Sequence, residues 1–197
     1  MQIRVLIGIS AFLCSGSLVA QTITGISNPT AGAQANGIAP GSLVSIFGGS
    51  LAGSLANSSS STLSTSLGDV SAVSFNGVNA PLVMVSDSQI TAQVPWEVIP
   101  GPANVTVARG NAFSNAFSTQ VNQFAPAIFS LRLGGLQAIA INGDGSLAAP
   151  QGFPGMGAHP ATAGDTLTLY ATGLGPVNGS LADGALPAVA GAHTWYR

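Results

Sequence analysis

No lysine occurs in this chain, and charge of either sign is scarce. The cations are Arg4, Arg109, Arg132 and Arg197; the acids are Asp69, Asp87, Glu97, Asp144, Asp165 and Asp183. A nucleic-acid backbone is held by several Lys or Arg on one face, so this composition argues against a nucleic-acid partner. Cys14 is the single cysteine, which excludes an internal disulfide and a thiolate metal site. The two histidines, His159 and His193, are distant in sequence and form no zinc-ligand set. No glycine run leads into a lysine or a helix start, so no phosphate-cradling loop is present. No metal and no cofactor is expected. What fills the chain instead is Gly, Ser, Thr, Ala and Val, the composition of short strands joined by tight turns rather than of a disordered tail.

The N-terminus has the layout of a secretory signal. Arg4 supplies the positive start, residues 5–13 are apolar or small, and SGSLVA at 15–20 offers cleavage between Ala20 and Gln21. An uncleaved anchor is the competing reading, but the apolar run falls short of the ~20 residues of an ordinary membrane span. Phe12 and Leu13 are bulky where small residues precede a lipidated cysteine, which argues against a lipid on Cys14. No later segment is long enough to cross a membrane. The product is expected outside the cell or at its surface, with no membrane span once the signal is removed.

The chain repeats itself. PGSLVSIFGGSLA at 40–52 aligns with AGDTLTLYATGLG at 163–175, an offset of 123 positions. Each copy reads as a turn glycine, an alternating strand and a small-residue bend closed by a leucine. In the first copy Val44 and Ile46 share one face and Ser45 the other; in the second, Leu167 and Leu169 face away from Thr168. Period-two alternation marks a half-buried strand. Further strands are expected at 22–26, 70–75, 82–85, 89–95, 104–109 and 112–121, with turns at Asn76-Gly77, Asp87-Ser88, Pro100-Gly101 and Gly110-Asn111. The Ser/Thr-rich stretch 57–66 reads as a flexible surface connector. About seven short strands in roughly 100 residues is the pattern of an immunoglobulin-like sandwich. Residues 136–141 and 146–149 read as a hairpin about Asn142-Gly-Asp-Gly145. No helical periodicity of useful length follows the signal segment.

Residues 22–122 resemble the IPT/TIG domain, an immunoglobulin-like fold. The matching stretches are APGSLVSIFG at 39–48, VSFNGVNAP at 73–81, VSDSQITAQVP at 85–95 and NVTV at 104–107. QVPWE at 93–97, NGDGSL at 142–147 and LYATGLG at 169–175 are similar to signatures of an uncharacterised C-terminal module family of secreted acidobacterial proteins. That resemblance covers nearly the whole mature chain and implies a fold and an exported location, with no reaction. In that family the second unit continues through further strands, whereas AGAHTWYR at 190–197 departs from the pattern. The expected architecture is therefore all-β: a signal peptide over 1–20, an immunoglobulin-like (IPT/TIG) β-sandwich over 21–123, and an incomplete second β unit over 124–197. Truncation or a frameshift is the expected cause.

Catalytic groups are thinly supplied. His159 and His193 lie in Pro/Gly/Ala-rich loops and read as solvated. A Ser-His-Asp triad is open on residue count alone, but no Gly-x-Ser-x-Gly elbow occurs: GGSLA at 48–52 fails at its last position, and Ser50 aligns with Gly173. NGDGS at 142–146 has the alternating oxygens that begin a calcium loop, yet the twelfth position is Phe153 rather than a carboxylate, and a hairpin turn accounts for the same residues. Asp183-Gly184 also reads as a turn. Trp96, beside Glu97, has two readings: a sugar-stacking platform, or a plug at the end of the sandwich where Pro95 stops its strand. The plug is preferred.

The expected function is non-catalytic: a secreted or cell-surface module for adhesion, spacing or protein contacts, including strand addition at a sheet edge. The partner is a protein or a surface glycan. The alternatives are a carbohydrate-binding module using Trp96 or Tyr170, and a fragment of a secreted hydrolase.

Overall fold

The computed structural model describes residues 20–30, 37–132, 135–154, 157–177 and 181–185. The expected signal segment up to residue 19, His193 and the 190–197 stretch lie outside the described residues. Among the described residues there is no helix, and none long and apolar enough to cross a membrane.

Two antiparallel sheets carry the first part of the chain. One is built from β1 (Thr22–Ser27), β2 (Leu43–Gly49), β3 (Ala56–Asn57), β6 (Leu82–Val85) and β7 (Gln89–Gln93), in the order β1-β2-β7-β6-β3. The other holds β4 (Ala72–Phe75), β5 (Val78–Asn79), β8 (Gly101–Arg109) and β10 (Phe117–Val121), in the order β10-β8-β4-β5, with β9 (Ala112–Phe113) paired to β8. Alternation makes each sheet apolar on one face, and the two apolar faces supply a single buried core. Ile23, Val44, Ile46, Val85, Ile90 and Ala92 come from the first sheet; Val73, Phe75, Val105, Val107 and Val121 come from the second. Asn76-Gly77 makes the expected tight turn, with both residues at positive φ. The result is a β-sandwich.

Two expectations fail in this region. The connector 57–66 is not free. Ala56–Asn57 pairs with β6, the Ser58 N–H donates to Val83 O at 2.8 Å, and Leu82 donates to Ser64 O at 2.8 Å. It is held because the edge of β6 offers backbone groups that a Ser/Thr-rich chain can pair without needing to bury side chains. Ser45 is not a solvated opposite face either: it is buried, with the Gln89 side-chain amide donating to its hydroxyl at 3.1 Å.

The second part is smaller. It comprises β11 (Ala127–Ile128), β12 (Ser130–Arg132), β13 (Leu136–Ala138), β14 (Ala140–Asn142), β15 (Leu167–Leu169) and β16 (Ala171–Thr172), paired as β11-β16, β12-β13 and β14-β15. The hairpin at Asn142-Gly-Asp-Gly145 forms: Asn142 donates to Ser146 O and Gly145 to Asn142 O, each at 2.9 Å. Its arms are shorter than expected, because Leu136–Ala138 pairs instead with β12.

The sequence repeat is also a structural repeat. Gly41 and Gly164 both have positive φ (73° and 100°), as do Ser50 and Gly173 (55° and 72°). Thr22 lies opposite Gly49 in the first copy, and Ala127 lies opposite Thr172, the aligned position, in the second. Ile26 lies opposite Ile46, and Ala140 lies opposite Leu169, again aligned. So β11 and β14 together take the place of β1, with the β12–β13 hairpin looped out between them. The expected half-burial of Leu167 and Leu169 is wrong: they are 39% and 55% exposed, while Val44 and Ile46 are sealed at 0%. No second sheet lies over the repeated strand among the described residues, so its apolar face stays in water.

Candidate functional site

Trp96 lies in the turn just after β7, three residues past Gln93 and next to Pro95. Its indole lies against the Gly41 turn so closely that a Cβ on Gly41 would sit 2.0 Å from the ring. The side chain is half-buried, and Nε1 is buried with no hydrogen-bond partner among the described residues. Trp96 stands between two hollows. One, of about 350 Å³, runs between the sandwich and the second unit and is also lined by Gly41, Gln93, Phe129, Thr172 and Leu174. The other, of about 300 Å³, is lined by Glu97, Ile99, Gln123 and Pro176. Tyr170 lines neither; it is exposed on the second unit, where its N–H donates to Ile139 O at 3.3 Å. Trp96 and Tyr170 are therefore not brought together.

The wall of the first hollow is tied across the chain. The Trp96 N–H donates to Asp183 Oδ1 at 2.9 Å, and Gly184 donates to Gln93 Oε1 at 2.7 Å. Leu43 donates to Thr172 Oγ1 at 2.9 Å, and Leu63 to Gly184 O at 2.9 Å. Asp183-Gly184 is the expected turn, and it is also a clasp over the end of β7. Burial raises the Asp183 carboxyl above its ordinary value; the Trp96 N–H opposes this, and the neighbouring Glu97 carboxyl adds to it. Nothing in the sequence signals the clasp, because its partners lie 87 and 91 positions apart.

A second cluster was also missed. His159 meets the hairpin turn: its Nε2 faces Asp144 Oδ2 at 3.1 Å and its Nδ1 faces Pro160 O at 3.1 Å. Asp144 Oδ1 accepts from the Ser146 N–H at 2.9 Å and from its hydroxyl at 2.6 Å. A serine, an aspartate and a histidine thus come together. The order is wrong for nucleophilic catalysis, since the aspartate sits between the other two and both imidazole nitrogens face oxygen acceptors. Two acceptors favour the imidazolium, so the Pro160 carbonyl first and Asp144 second raise the His159 pKa. The Ser146 hydroxyl and N–H, with His159, hold Asp144 well below the usual carboxylate range. Asp144 Oδ1 is engaged within the turn and Oδ2 by His159 from the neighbouring loop, which matches the hairpin reading of NGDGS. No group of three or more His, Cys, Asp or Glu converges among the described residues.

Two other acids also brace turns. For Asp69, desolvation is the largest single influence and raises the carboxyl, but the Gly53 N–H that it accepts and the Arg109 that it pairs with together outweigh it and leave the carboxyl lowered. Asp165 accepts from the Thr162 N–H at 2.7 Å and its hydroxyl at 2.8 Å, which lower it too.

No protein-family model matches the chain, and no curated protein matches it.

Proposed function

We propose that this chain is an exported, non-catalytic immunoglobulin-like module, of the IPT/TIG kind over residues 21–123, that works through protein contacts in adhesion, spacing or display. The strand order supports the fold. Leaving aside the two-residue pieces β3, β5 and β9, the seven strands in chain order are β1, β2, β4, β6, β7, β8 and β10. Lettered A to G, the sheets read A-B-E-D and G-F-C, the immunoglobulin arrangement. Ile38, between the first two strands, crosses to the other sheet and bridges Val121 in parallel. Arg4 and the apolar run 5–13 support export.

The observation that carries the functional reading is the use of the ionisable groups. Among the described residues, Asp69, Asp144, Asp165 and His159 are held in local hydrogen bonds and ion pairs, and in the Ser146, Asp144 and His159 cluster the imidazole faces Asp144 rather than the serine. A surface glycan is the second reading, favoured by Tyr170 standing 52% exposed beside exposed Leu169. The test is a screen of the purified protein against esterase and glycosidase substrates, run with a glycan array. No turnover and no glycan signal is expected. Turnover abolished by Ser146→Ala or His159→Ala overturns the proposal; glycan binding lost in Tyr170→Ala replaces it with the second reading.

A further inference from the structure

The repeated strand has two edges, and the second copy uses one of them. In the first copy, β2 is paired on one side by β1 and on the other by β7. In the second, β11 and β14 take the β1 side, and β15 pairs with no other strand among the described residues. Tyr170 directs its backbone to the occupied side, donating to Ile139 O and accepting from Phe129 N–H. Alternation along an antiparallel ladder then turns the N–H and C=O of Leu167 and Leu169 to the open side. These are the positions that align with Val44 and Ile46, which in the first copy lie opposite Ala92 and Ile90 of β7.

The face beside this edge is apolar as well as open. Leu167 and Leu169 are exposed, and Leu167 borders a hollow of about 430 Å³ walled by Ala140, Ala149, Pro150 and Pro160. The first copy shows what such an edge takes: a five-residue antiparallel strand, QITAQ, with aliphatic side chains two positions apart.

We propose that the open edge of β15 is a strand-addition site for an extended peptide segment of a partner polypeptide, running antiparallel, with aliphatic residues two apart set opposite Leu169 and Leu167. Main-chain hydrogen bonds hold such a segment, and the alternate side chains that reach the apolar face select it. The proposal rests on the reading of this chain as a protein-contact module and names the surface and the ligand chemistry.

The probe is a synthetic peptide copying residues 87–95, DSQITAQVP, titrated against the whole protein. In β7 the Val94 N–H faces β2, donating to Ser42 O, whereas the Gln93 N–H faces β6, donating to Pro81 O. The same alternation turns the Ile90 and Ala92 amides toward the repeated strand. Saturable binding is expected, with slowed hydrogen exchange at the Leu167 and Leu169 amides. N-methylation of the peptide at Ile90 or Ala92 should weaken binding at least ten-fold, while N-methylation at Thr91 should leave it within two-fold. Leu169→Pro in the protein, which removes an outward N–H, should also weaken binding at least ten-fold. Because the methylated peptides leave the protein intact, the test stands even if that variant unfolds. Equal loss from methylation at all three positions, binding of a scrambled peptide, no binding, or protection of β15 by self-association alone overturns strand addition. None of those outcomes touches the non-catalytic reading, which falls only to turnover in the substrate screen.

Discussion

Ile46 and Leu169 hold the same place in two copies of one strand motif, yet Ile46 is fully sealed and Leu169 is 55% exposed. Local sequence makes both strands; among the described residues only the first has a second sheet to cover it. Ile46→Ala should therefore cost roughly 2–5 kcal/mol by loss of buried area and creation of a cavity. Leu169→Ala should fall within about 0.5 kcal/mol of the parent. Denaturant unfolding of the two variants checks the contrast, and equal losses would refute it.

The turn glycines separate sterics from backbone strain. Both have positive φ, but a Cβ on Gly41 would strike the Trp96 ring, whereas one on Gly164 meets nothing within 4 Å. Gly164→Ala should cost about 1 kcal/mol, the strain of a side chain in the left-handed region. Gly41→Ala should cost more and should shift the emission of Trp96, read in a Trp195→Phe background. A larger loss at Gly164 would count against the packing of Trp96 on Gly41.

The Asp183 clasp should respond to pH with a definite sign. Its carboxyl is raised above the ordinary value of 3.8 in the folded chain. A raised folded value means a contribution fully present below the unfolded value and lost as pH rises through the folded one. Exchange of the Trp96 and Gly184 amides should thus quicken, beyond its intrinsic pH dependence, as pH climbs from below 3.8 through the folded value. Asp183→Asn should flatten that response. The same slope in the variant would remove Asp183 as its source.

His159 and Asp144 predict a window rather than a slope. The histidine is raised above 6.5, so its contribution holds below 6.5 and fades as pH rises through the folded value. Asp144 is lowered, so its contribution is present above 3.8 and is lost only as pH falls through its depressed value. The link between hairpin and loop is firmest between the two. NMR titration should find His159 above its ordinary pKa and moved part of the way back in Asp144→Asn, since the Pro160 carbonyl remains. An unmoved His159 in that variant would mean that the 3.1 Å contact is not formed in solution.

The strands of the sandwich were legible because alternation is a local signal. Val44, Ile46, Ile90, Ala92 and Val94 are all buried as their spacing predicts. Misses came where long-range pairing decided. The stretch 57–66 looks like loose connector, but the edge of β6 holds it. Residues 136–138 continue the 140–142 pattern, yet they pair backward with β12. His159 reads as a solvated loop residue until the hairpin carrying Asp144 is set beside it. Trp96 could be read either as a platform or as a plug; its contact with Gly41 is made across the fold and has no counterpart in spacing.

By itself, the sequence determined the all-β class, most of the turn positions (Pro100-Gly101 instead leads straight into β8), the thin supply of catalytic groups and the existence of a repeat. Each of these depends on residue type or short-range period, which a chain carries before it folds. The tertiary structure decided which copy of the repeat is buried, which edge is left open, and which polar atoms meet. Burial and edge pairing depend on what other strands arrive, and the same alternating pattern serves a core in one place and faces water in the other.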